Sequence, residues 1–309
     1  MSAELRTLVA ETLAGEASPV VRTFAARLAA RYGEAARGVL FYGSSLRTGD
    51  LTGTLLDFYL LVDDYTHAYG GRWLAVANRL LPPNVFYAEE EIDGVRYRAK
   101  YAVLTLRQFH ALAGRGTFNV SIWARFAQPS LLVWHAPAQE TPVAAAVALA
   151  PETLLTAALP LLPAATDCRG LWTAAFALTY GSELRAERRG KGLELYDLAP
   201  DYYRAITEPA LRAAGVRYSR EGERLRLHHR GSRLLGRLLW SLRSLQGKLL
   251  SALRLIKASA TFDGGIDYLA WKITRHAGVP VEIKPWHRRH PIIGGLVLFW
   301  QLRRRGAVR

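Results

Sequence analysis

The sequence predicts an α+β fold in which strands precede helices along the chain. Short apolar runs typical of buried strands come first, at residues 39–42, 55–62, 85–88, 94–104 and 131–134. From residue 142 onward, alanine and leucine recur at helical spacing. After residue 231, leucines at intervals of three and four alternate with arginines and lysines. These patterns predict a mixed-sheet domain over 1–135, a helical domain over 136–230 and a basic amphipathic segment over 231–309.

The composition fits a folded protein that binds a polyanion. Half of the 309 residues are hydrophobic, which is enough for a core, and the net charge is +15. Such a charge indicates nucleic acid, an anionic lipid surface or a phosphorylated substrate as the partner. Cys168 is the single cysteine, which excludes an internal disulfide bond and fits a reducing compartment. No run reaches about 18 uninterrupted apolar residues, so we expect no membrane-spanning helix.

The first half of the chain shows helical spacing before and after the central strands. Two N-terminal helices are predicted over 2–14 and 19–32, with Ser18-Pro19 as the N-cap and first residue of the second. A helix over 67–81 should end at the prolines that follow it. A charged turn over 89–94 should join the next two strands.

The second half predicts helices followed by a hairpin. The helices are expected at 106–112, 143–150, 151–159, 165–184 and 193–214, with Pro200-Asp201 and Pro209 marking breaks in the last. Alternation around Glu221-Gly222 then predicts a β-hairpin over 216–228. Helices followed by a basic hairpin are typical of a winged-helix-like module, in which the hairpin is the wing. The wing either contacts a polyanion or has a structural role alone.

The stretch from Val39 to Asp64 carries the strongest chemical pattern. An apolar strand ends at Gly43-Ser44-Ser45, and the next strand, 55–62, carries the carboxylate of Asp57 near its start. A carboxylate in an apolar strand is costly unless it is paired or binds a metal. This layout is that of nucleotidyltransferases, in which the turn donates N–H groups to a nucleoside triphosphate and the acid holds Mg²⁺. An ordinary turn between two strands is the alternative.

Cations follow on a later strand. Arg96, Arg98 and Lys100 alternate with apolar residues, which places all three on one face. They form either a phosphate-binding wall beside the acid or a solvated outer face of the sheet.

A second metal ligand is not obvious from the spacing. Position 59, where many nucleotidyltransferases carry another acid, is a tyrosine, and Asp63 is about 20 Å from Asp57 along a strand. We therefore expect Glu89 or Glu91 to supply it. The missing acid also suits a phosphate nucleophile, because a phosphate monoester has a second pKa of about 6 and is ionised without a general base.

The basic C-terminal segment has two interpretations. Its leucines either pack on the rest of the protein or lie on an anionic membrane surface. A second apolar patch over 292–300, flanked by arginines at 288–289 and 303–305, is too short to cross a bilayer and predicts membrane docking.

Short motifs occur in a fixed order along nearly the whole chain: Tyr42-Gly43-Ser44, Asp57-Phe58, Val62-Asp63-Asp64, Lys100-Tyr101-Ala102-Val103, Ala150-Pro151-Glu152 and Thr179-Tyr180-Gly181-Ser182-Glu183. In this order the sequence resembles the mitochondrial-type CDP-diacylglycerol synthases, the phosphatidate cytidylyltransferases of the translocator assembly and maintenance type. The hairpin over 216–228 and the basic segment after Arg254 also fall where that family has them.

The resemblance implies a Mg²⁺-dependent enzyme that converts CTP and phosphatidate to CDP-diacylglycerol and pyrophosphate. It implies that the turn at 43–45 and Arg98 bind the nucleotide, that Asp57 is a catalytic metal ligand, and that Lys100 acts on the leaving pyrophosphate. It also implies an anionic membrane partner, no nucleic acid, and a cytoplasmic protein on the inner face of a bacterial cell membrane. Two alternatives remain: a nucleotidyltransferase with a soluble acceptor, and a basic nucleic-acid-binding protein with a degenerate nucleotidyltransferase core.

Overall fold

The computed structural model describes residues 3–52, 54–182, 191–228 and 231–261. It has an α+β fold that contains a mixed five-stranded sheet, a smaller antiparallel sheet and helices. The α+β class and the mixed sheet predicted from the sequence are confirmed.

The main sheet has the strand order β3-β4-β2-β1-β5. Strands β2 and β4 are parallel and the other neighbours are antiparallel. Its strands are Ala36–Tyr42 (β1), Leu56–Val62 (β2), Asn84–Ile92 (β3), Val95–Thr105 (β4) and Leu131–His135 (β5).

Helices cover both faces of this sheet. Because both faces are covered, β1 and β2 are apolar over nearly their whole length. The helices of this region are Ala3–Leu13 (α1), Pro19–Ala30 (α2), Ser44–Thr48 (α3), Tyr65–Tyr69 (α4), Arg72–Leu80 (α5), Leu106–Ala113 (α6) and Trp123–Phe126 (α7).

Two cores follow from the alternation of side chains in the strands. On one face, Phe24 of α2 packs on Phe41 and Phe58 of the sheet. On the other face, Tyr59 of β2 packs on the helices α6 and α7 and belongs to the larger core. Asp57 lies two residues before Tyr59, and its side chain therefore emerges on the face of the larger core.

The second region is helical and carries the smaller sheet, in the order β6-β8-β7. Its elements are Glu140–Ala158 (α8), Ala165–Thr166 (β6), Cys168–Tyr180 (α9), Lys191–Asp197 (α10), Pro200–Ala213 (α11), Arg217–Glu221 (β7), Arg224–His228 (β8) and Arg233–Thr261 (α12). The larger core runs from Leu5 to Trp240 without interruption at residue 135, so packing crosses the predicted domain boundary.

Helix α8 is the centre of that shared core. Together with the 3₁₀ turn after it, the helix extends over Glu140–Leu161, 22 residues that are long and apolar enough for a membrane span. Two-thirds (67%) of its apolar stretch is buried inside the protein, as in the core helix of a globular domain.

Three predicted helix boundaries are wrong. The helix expected over 67–81 is two helices, α4 and α5, because Gly70 adopts a left-handed φ of 58° and ends the first. Pro151 and Pro209 were expected to break helices, yet each lies inside one, in α8 and α11, and is buried. Tertiary packing of these helices outweighs the local preference.

The charged turn expected over 89–94 is also wrong. Glu89, Glu90 and Glu91 belong to β3, and the turn consists of Asp93 and Gly94, with φ of 52° and 74°. Two central residues with positive φ make the tight hairpin for which an Asp-Gly pair is suited. The hairpin at 216–228 is confirmed as β7 and β8. The docking patch predicted at 292–300 lies outside the described residues.

An ion pair between a buried carboxylate and an exposed arginine joins the two regions. Glu152 of α8 is 4% exposed, and Arg115, which follows α6, donates to it from Nε at 2.7 Å and also to the main chain at the end of α11. Oxygen Oε2 of Glu152 has no further hydrogen bond among the described residues. The carboxylate therefore depends on Arg115 for compensation.

We predict that Arg115→Met lowers the free energy of unfolding by about 2 kcal/mol, because it leaves a buried carboxylate unpaired. The double variant Arg115→Met/Glu152→Gln should recover part of the loss, since it removes the uncompensated charge. Urea unfolding of Arg115→Met, Glu152→Gln and the double variant beside the parent chain measures this. A double variant that is as unstable as the sum of both single variants would contradict the coupling.

Candidate functional site

A cavity opens beside the end of β1 and the start of β2, on the sheet face of the larger core. Its volume of about 530 Å³ is typical of sites for small ligands. Strands, the turn after β1 and helices of both regions form its wall. The lining residues are Tyr42, Gly43, Ser44, Arg47, Asp57, Phe58, Tyr59, Pro83, Val85, Lys100, Ala102, Arg125, Gln128, Tyr180, Arg254 and Lys257.

Gly43 brings the main chain directly against the carboxylate of Asp57. Its backbone has φ 93° and ψ −159°, which is a conformation that favours glycine. A Cβ atom at this position would lie 2.7 Å from Asp57 Oδ2. Both the dihedral angle and the contact exclude a side chain here.

Asp57 and Lys100 face each other across neighbouring strands. The parallel register of β2 and β4 aligns the two residues, and Lys100 Nζ lies 3.0 Å from Asp57 Oδ1. The side chain of Asp57 is 14% exposed and that of Lys100 is 47% exposed. The contact is an ion pair without hydrogen-bond alignment, because buried Oδ1 accepts no hydrogen bond from the described residues. The carboxylate is therefore held by charge attraction rather than by a directed hydrogen bond among the described residues.

Only part of the predicted turn faces the cavity. Gly43 and Ser44 line it, and Ser44 begins the short helix α3. The hydroxyl of Ser45 is buried and donates to the carbonyl of Leu55 at 3.4 Å, outside the lining. Ser45 thus stabilises the turn through its side chain.

The other predicted strand cation lies outside the cavity. Arg98 shares a sheet face with Lys100, but its Nε donates to Glu89 Oε1 at 3.1 Å, and Arg96 lies 3.9 Å from the same carboxylate. Tyr87 also donates to it at 2.5 Å. Of the three cations on β4, Lys100 alone lines the cavity, while the other two belong to an ion cluster on the outer part of the hairpin.

The structure does not bring Glu89 and Glu91 together with Asp57. Both lie further along β3, beside Arg98 and Arg96 in register, and neither lines the cavity. Among the described residues, no group of three or more His, Cys, Asp or Glu side chains could hold a metal ion. An all-protein metal cage is thus not formed by the described part of the chain.

Sequence reasoning missed the cations that come from helices. Arg47 follows the turn, Arg125 comes from α7, and Arg254 and Lys257 come from the far half of α12. The spacing of the last two, three residues apart and away from the leucines, was visible in the sequence. Which face of α12 meets the cavity was not, because that depends on tertiary packing.

The wall of the cavity is strongly cationic. It contains the five cations Arg47, Lys100, Arg125, Arg254 and Lys257, and Asp57 is the one carboxylate among the lining residues that the structure describes. Burial, and then the charge of Arg254, lower the pKa of Lys257 to about 8. Such an excess of positive charge in a concave site favours a polyphosphate ligand.

The carboxylate of Asp57 suits a Mg²⁺ ion that is already coordinated by the phosphate oxygens of a nucleotide. Proteins hold Mg²⁺ through one or two carboxylates, while substrate phosphates and water complete the shell. Asp57 supplies one buried carboxylate with an oxygen that accepts no hydrogen bond from the described residues, directly below a cationic cavity. The site therefore suits a metal–triphosphate complex.

No protein-family model matches the sequence, and no curated protein matches it either.

We predict that Gly43→Ala destabilises the protein by about 1–3 kcal/mol and distorts the cavity, because the new methyl group meets the Asp57 carboxylate. Gly49→Ala is the matched control: Gly49 also has a left-handed φ, 72°, but nothing lies within 4 Å of its Cβ position. Thermal melting of both variants measures the difference. Equal shifts would mean that the dihedral angle alone requires glycine at position 43.

Proposed function

We propose that the protein is a Mg²⁺-dependent nucleotidyltransferase that converts CTP and phosphatidate to CDP-diacylglycerol and pyrophosphate. The observation that carries this proposal is the contact between three groups at one edge of a cationic cavity. The Gly43 turn packs on the Asp57 carboxylate, and Lys100 pairs with that carboxylate from the next strand. The order of strand, Gly-Ser turn, short helix and acid-bearing strand also supports a nucleotidyltransferase fold.

Each group then has a role. Gly43 and Ser44 bind triphosphate oxygens at the turn, as oriented N–H groups do in other phosphate sites. Asp57 holds the metal, which when bound would withdraw negative charge from the phosphate oxygens. Lys100 stabilises the charge that develops on the pyrophosphate as it leaves.

The transfer itself needs no general base from the protein. A phosphate oxygen of the acceptor attacks the α-phosphorus of CTP, and the bond from that phosphorus to the pyrophosphate oxygen breaks. The attacking group has a second pKa of about 6, so it is ionised at neutral pH. Because Asp57 is the one carboxylate among the described lining residues and serves the metal, an acceptor that is already ionised suits this site better than an alcohol.

The helices and the small sheet of the second region support the proposal that a winged-helix-like module follows the nucleotidyltransferase domain. Helices α9 to α11 precede the β7–β8 hairpin, and short β6 pairs with β8 to complete a three-stranded sheet. Helices that end in a small sheet with a hairpin are the arrangement expected of such a module.

The outward face of α12 supports a membrane location for the reaction. At 100° per residue its exposed leucines fall within an arc of about 100°. They are Leu234, Leu235, Leu238, Leu242, Leu245, Leu249 and Leu253, all between 41% and 79% exposed. The opposite face makes the contacts with the protein, where Trp240 donates to the carbonyl of Ala157 and Gly236 packs on Pro160.

We therefore propose that this leucine stripe lies on an anionic membrane, and that the enzyme is a peripheral protein on the cytoplasmic side. Arg233, Arg237 and Lys248 flank the stripe and suit anionic headgroups. Helix α5 adds exposed Trp73, Val76 and Leu80 close to the far end of α12.

Asp57→Asn should abolish turnover, with a fall of about a thousandfold or more in kcat/KM, because the substitution keeps the shape and removes the charge that holds the metal. Formation of CDP-diacylglycerol from CTP, Mg²⁺ and phosphatidate vesicles is the assay. Asp201→Asn, at a side chain that is 94% exposed, is the control and should retain activity. Turnover by the Asp57 variant at ordinary Mg²⁺ concentrations would exclude the assigned role.

Lys100→Ala should lower kcat by about a hundredfold and change the KM for CTP much less, because the cation acts on charge that appears in the transition state. Steady-state kinetics with varied CTP separate the two parameters. If KM rises and kcat is retained, Lys100 anchors bound CTP and does not act on the leaving group.

Leu245→Glu/Leu249→Glu should weaken binding to vesicles that contain anionic lipid by about tenfold or more, because apolar contact with the bilayer is lost and two charges must be kept in water. Co-sedimentation measures the binding. The control is Leu198→Glu, since Leu198 is an exposed leucine (49%) outside the stripe. Equal binding by the stripe variant and the control would refute the membrane role of α12.

A further inference from the structure

Helix α12 turns two cations toward the interior while its leucines face outward. Arg254 and Lys257 are three residues apart, so they lie on one face of the helix, and both line the cavity. They are separated from Asp57 and Lys100 on the sheet by apolar wall residues that include Pro83 and Val85. The cavity thus has positive groups on two different elements.

The main chain before β3 holds these two cations in place. Arg254 Nε donates to the carbonyl of Pro82 at 2.8 Å, and Lys257 Nζ donates to the carbonyls of Pro83, at 2.8 Å, and Leu81. Nη2 of Arg254 also reaches Ser121 Oγ at 3.4 Å. These contacts fix the positions of both cations relative to the start of β3.

The two cations lie where the cavity borders exposed apolar surface. Leu253, next to Arg254, is 41% exposed, and Leu80 is 80% exposed beside Leu81, whose carbonyl accepts from Lys257. A ligand bound by these cations could place an anionic group in the cavity and an apolar part on that surface. This is the chemistry of a lipid with a phosphate head.

A transfer between two phosphate-bearing molecules also requires two anion sites. Like charges repel strongly at the distance of reaction, so each reactant needs its own compensating groups. The sheet side of the cavity supplies Asp57 and Lys100 for a metal–triphosphate complex. The α12 side supplies a second, separate set.

We infer that Arg254 and Lys257 form the binding subsite for the phosphate monoester of a lipid acceptor, opposite the triphosphate site. The choice of acceptor rests on the proposed function. The subsite itself rests on the placement of the two cations at the border between the cavity and the apolar surface.

Because Lys257 titrates near neutral pH, the affinity of the subsite for an anion should depend on pH. With a pKa of about 8, this lysine is charged at pH 7 and about a tenth charged at pH 9. Affinity for a phosphate monoester should therefore fall by up to about tenfold between these two pH values. An arginine at the same position would stay charged throughout.

Other groups around the cavity can also respond to pH or to the bound anion. They are Tyr42, Arg47, Asp57, Lys100, Arg125, Tyr180 and Arg254. A Lys257→Arg variant keeps all of them, so a comparison with the parent chain isolates the contribution of Lys257.

The test uses the full chain and isothermal titration calorimetry with dioctanoyl phosphatidate, inorganic phosphate and CTP, each alone. Lys257→Gln should bind dioctanoyl phosphatidate at least tenfold more weakly at pH 7 and bind CTP nearly as the parent does. Arg6→Gln, at an exposed arginine of α1, should match the parent for all three ligands. The parent should lose affinity for the lipid from pH 7 to pH 9, while Lys257→Arg should not.

Several results would overturn the inference. Unchanged lipid affinity in Lys257→Gln, or an equal loss for CTP, would exclude a separate acceptor subsite. Parallel pH dependence in the parent and Lys257→Arg would exclude Lys257 as the titrating contact. Inorganic phosphate that binds as tightly as the lipid would exclude a lipid-specific site. If Lys257→Gln does not fold, the comparison of the parent with Lys257→Arg decides the question alone.

Failure of the subsite and failure of the reaction give different results. A parent chain that binds dioctanoyl phosphatidate through Lys257 but forms no CDP-diacylglycerol retains the subsite and loses the proposed reaction. A chain that forms the product, and whose Lys257→Gln variant raises the KM for phosphatidate no more than that for CTP, retains the reaction and loses the subsite.

Discussion

The largely buried carboxylate of Asp57, with 14% of the side chain exposed, is the constraint on which the rest of the site depends. A carboxylate inside an apolar strand destabilises a fold unless charges or ligands compensate it. Here the parallel pairing of β2 and β4 supplies Lys100 at the matching position, and the glycine at position 43 lets the main chain approach to a distance that no side chain would allow. The identity of residue 43 and the ion pair with Lys100 thus both depend on the acid at this point, within a register that the strands set along their whole length. Helices α3 and α7 then surround it with further cations.

Helix α12 exposes the side chains that an ordinary amphipathic helix buries. Such a helix buries its apolar face and exposes its charges. In α12 the leucines are exposed, and glycines, Trp240 and two of the cations face the protein. Gly236 permits close approach to Pro160, since a Cβ there would lie 2.7 Å from the proline ring. The same arrangement brings Arg254 and Lys257 to the cavity on the inner side of the helix.

Local patterns predicted the fold and the centre of the site, while tertiary contacts decided the rest. The strands at 39–42 and 55–62, the turn and Asp57 were visible because each depends on neighbouring residues. The position of Glu89 was mistaken because three consecutive glutamates suggest a loop, although the Asp93-Gly94 pair marks the real turn. Pro151 and Pro209 led to wrong predictions of helix breaks, because the local preference of proline was outweighed by packing of the helices. The roles of Arg125, Arg254 and Lys257 could not be predicted, because no sequence pattern states which side of a helix will face a cavity formed by other parts of the chain.

Two ion pairs of this chain differ in their surroundings. Arg115 and Glu152 balance each other, one charge against one, where two regions meet. Asp57 has Lys100 as its partner, and four further cations line the same cavity. Burial and then repulsion from Arg254 lower the pKa of Lys257, so the charged form of this lysine is disfavoured in the protein without ligand. A bound phosphate group would favour that charged form, and this coupling is a physical reason to propose an anionic ligand at the cavity rather than at the Arg115–Glu152 pair.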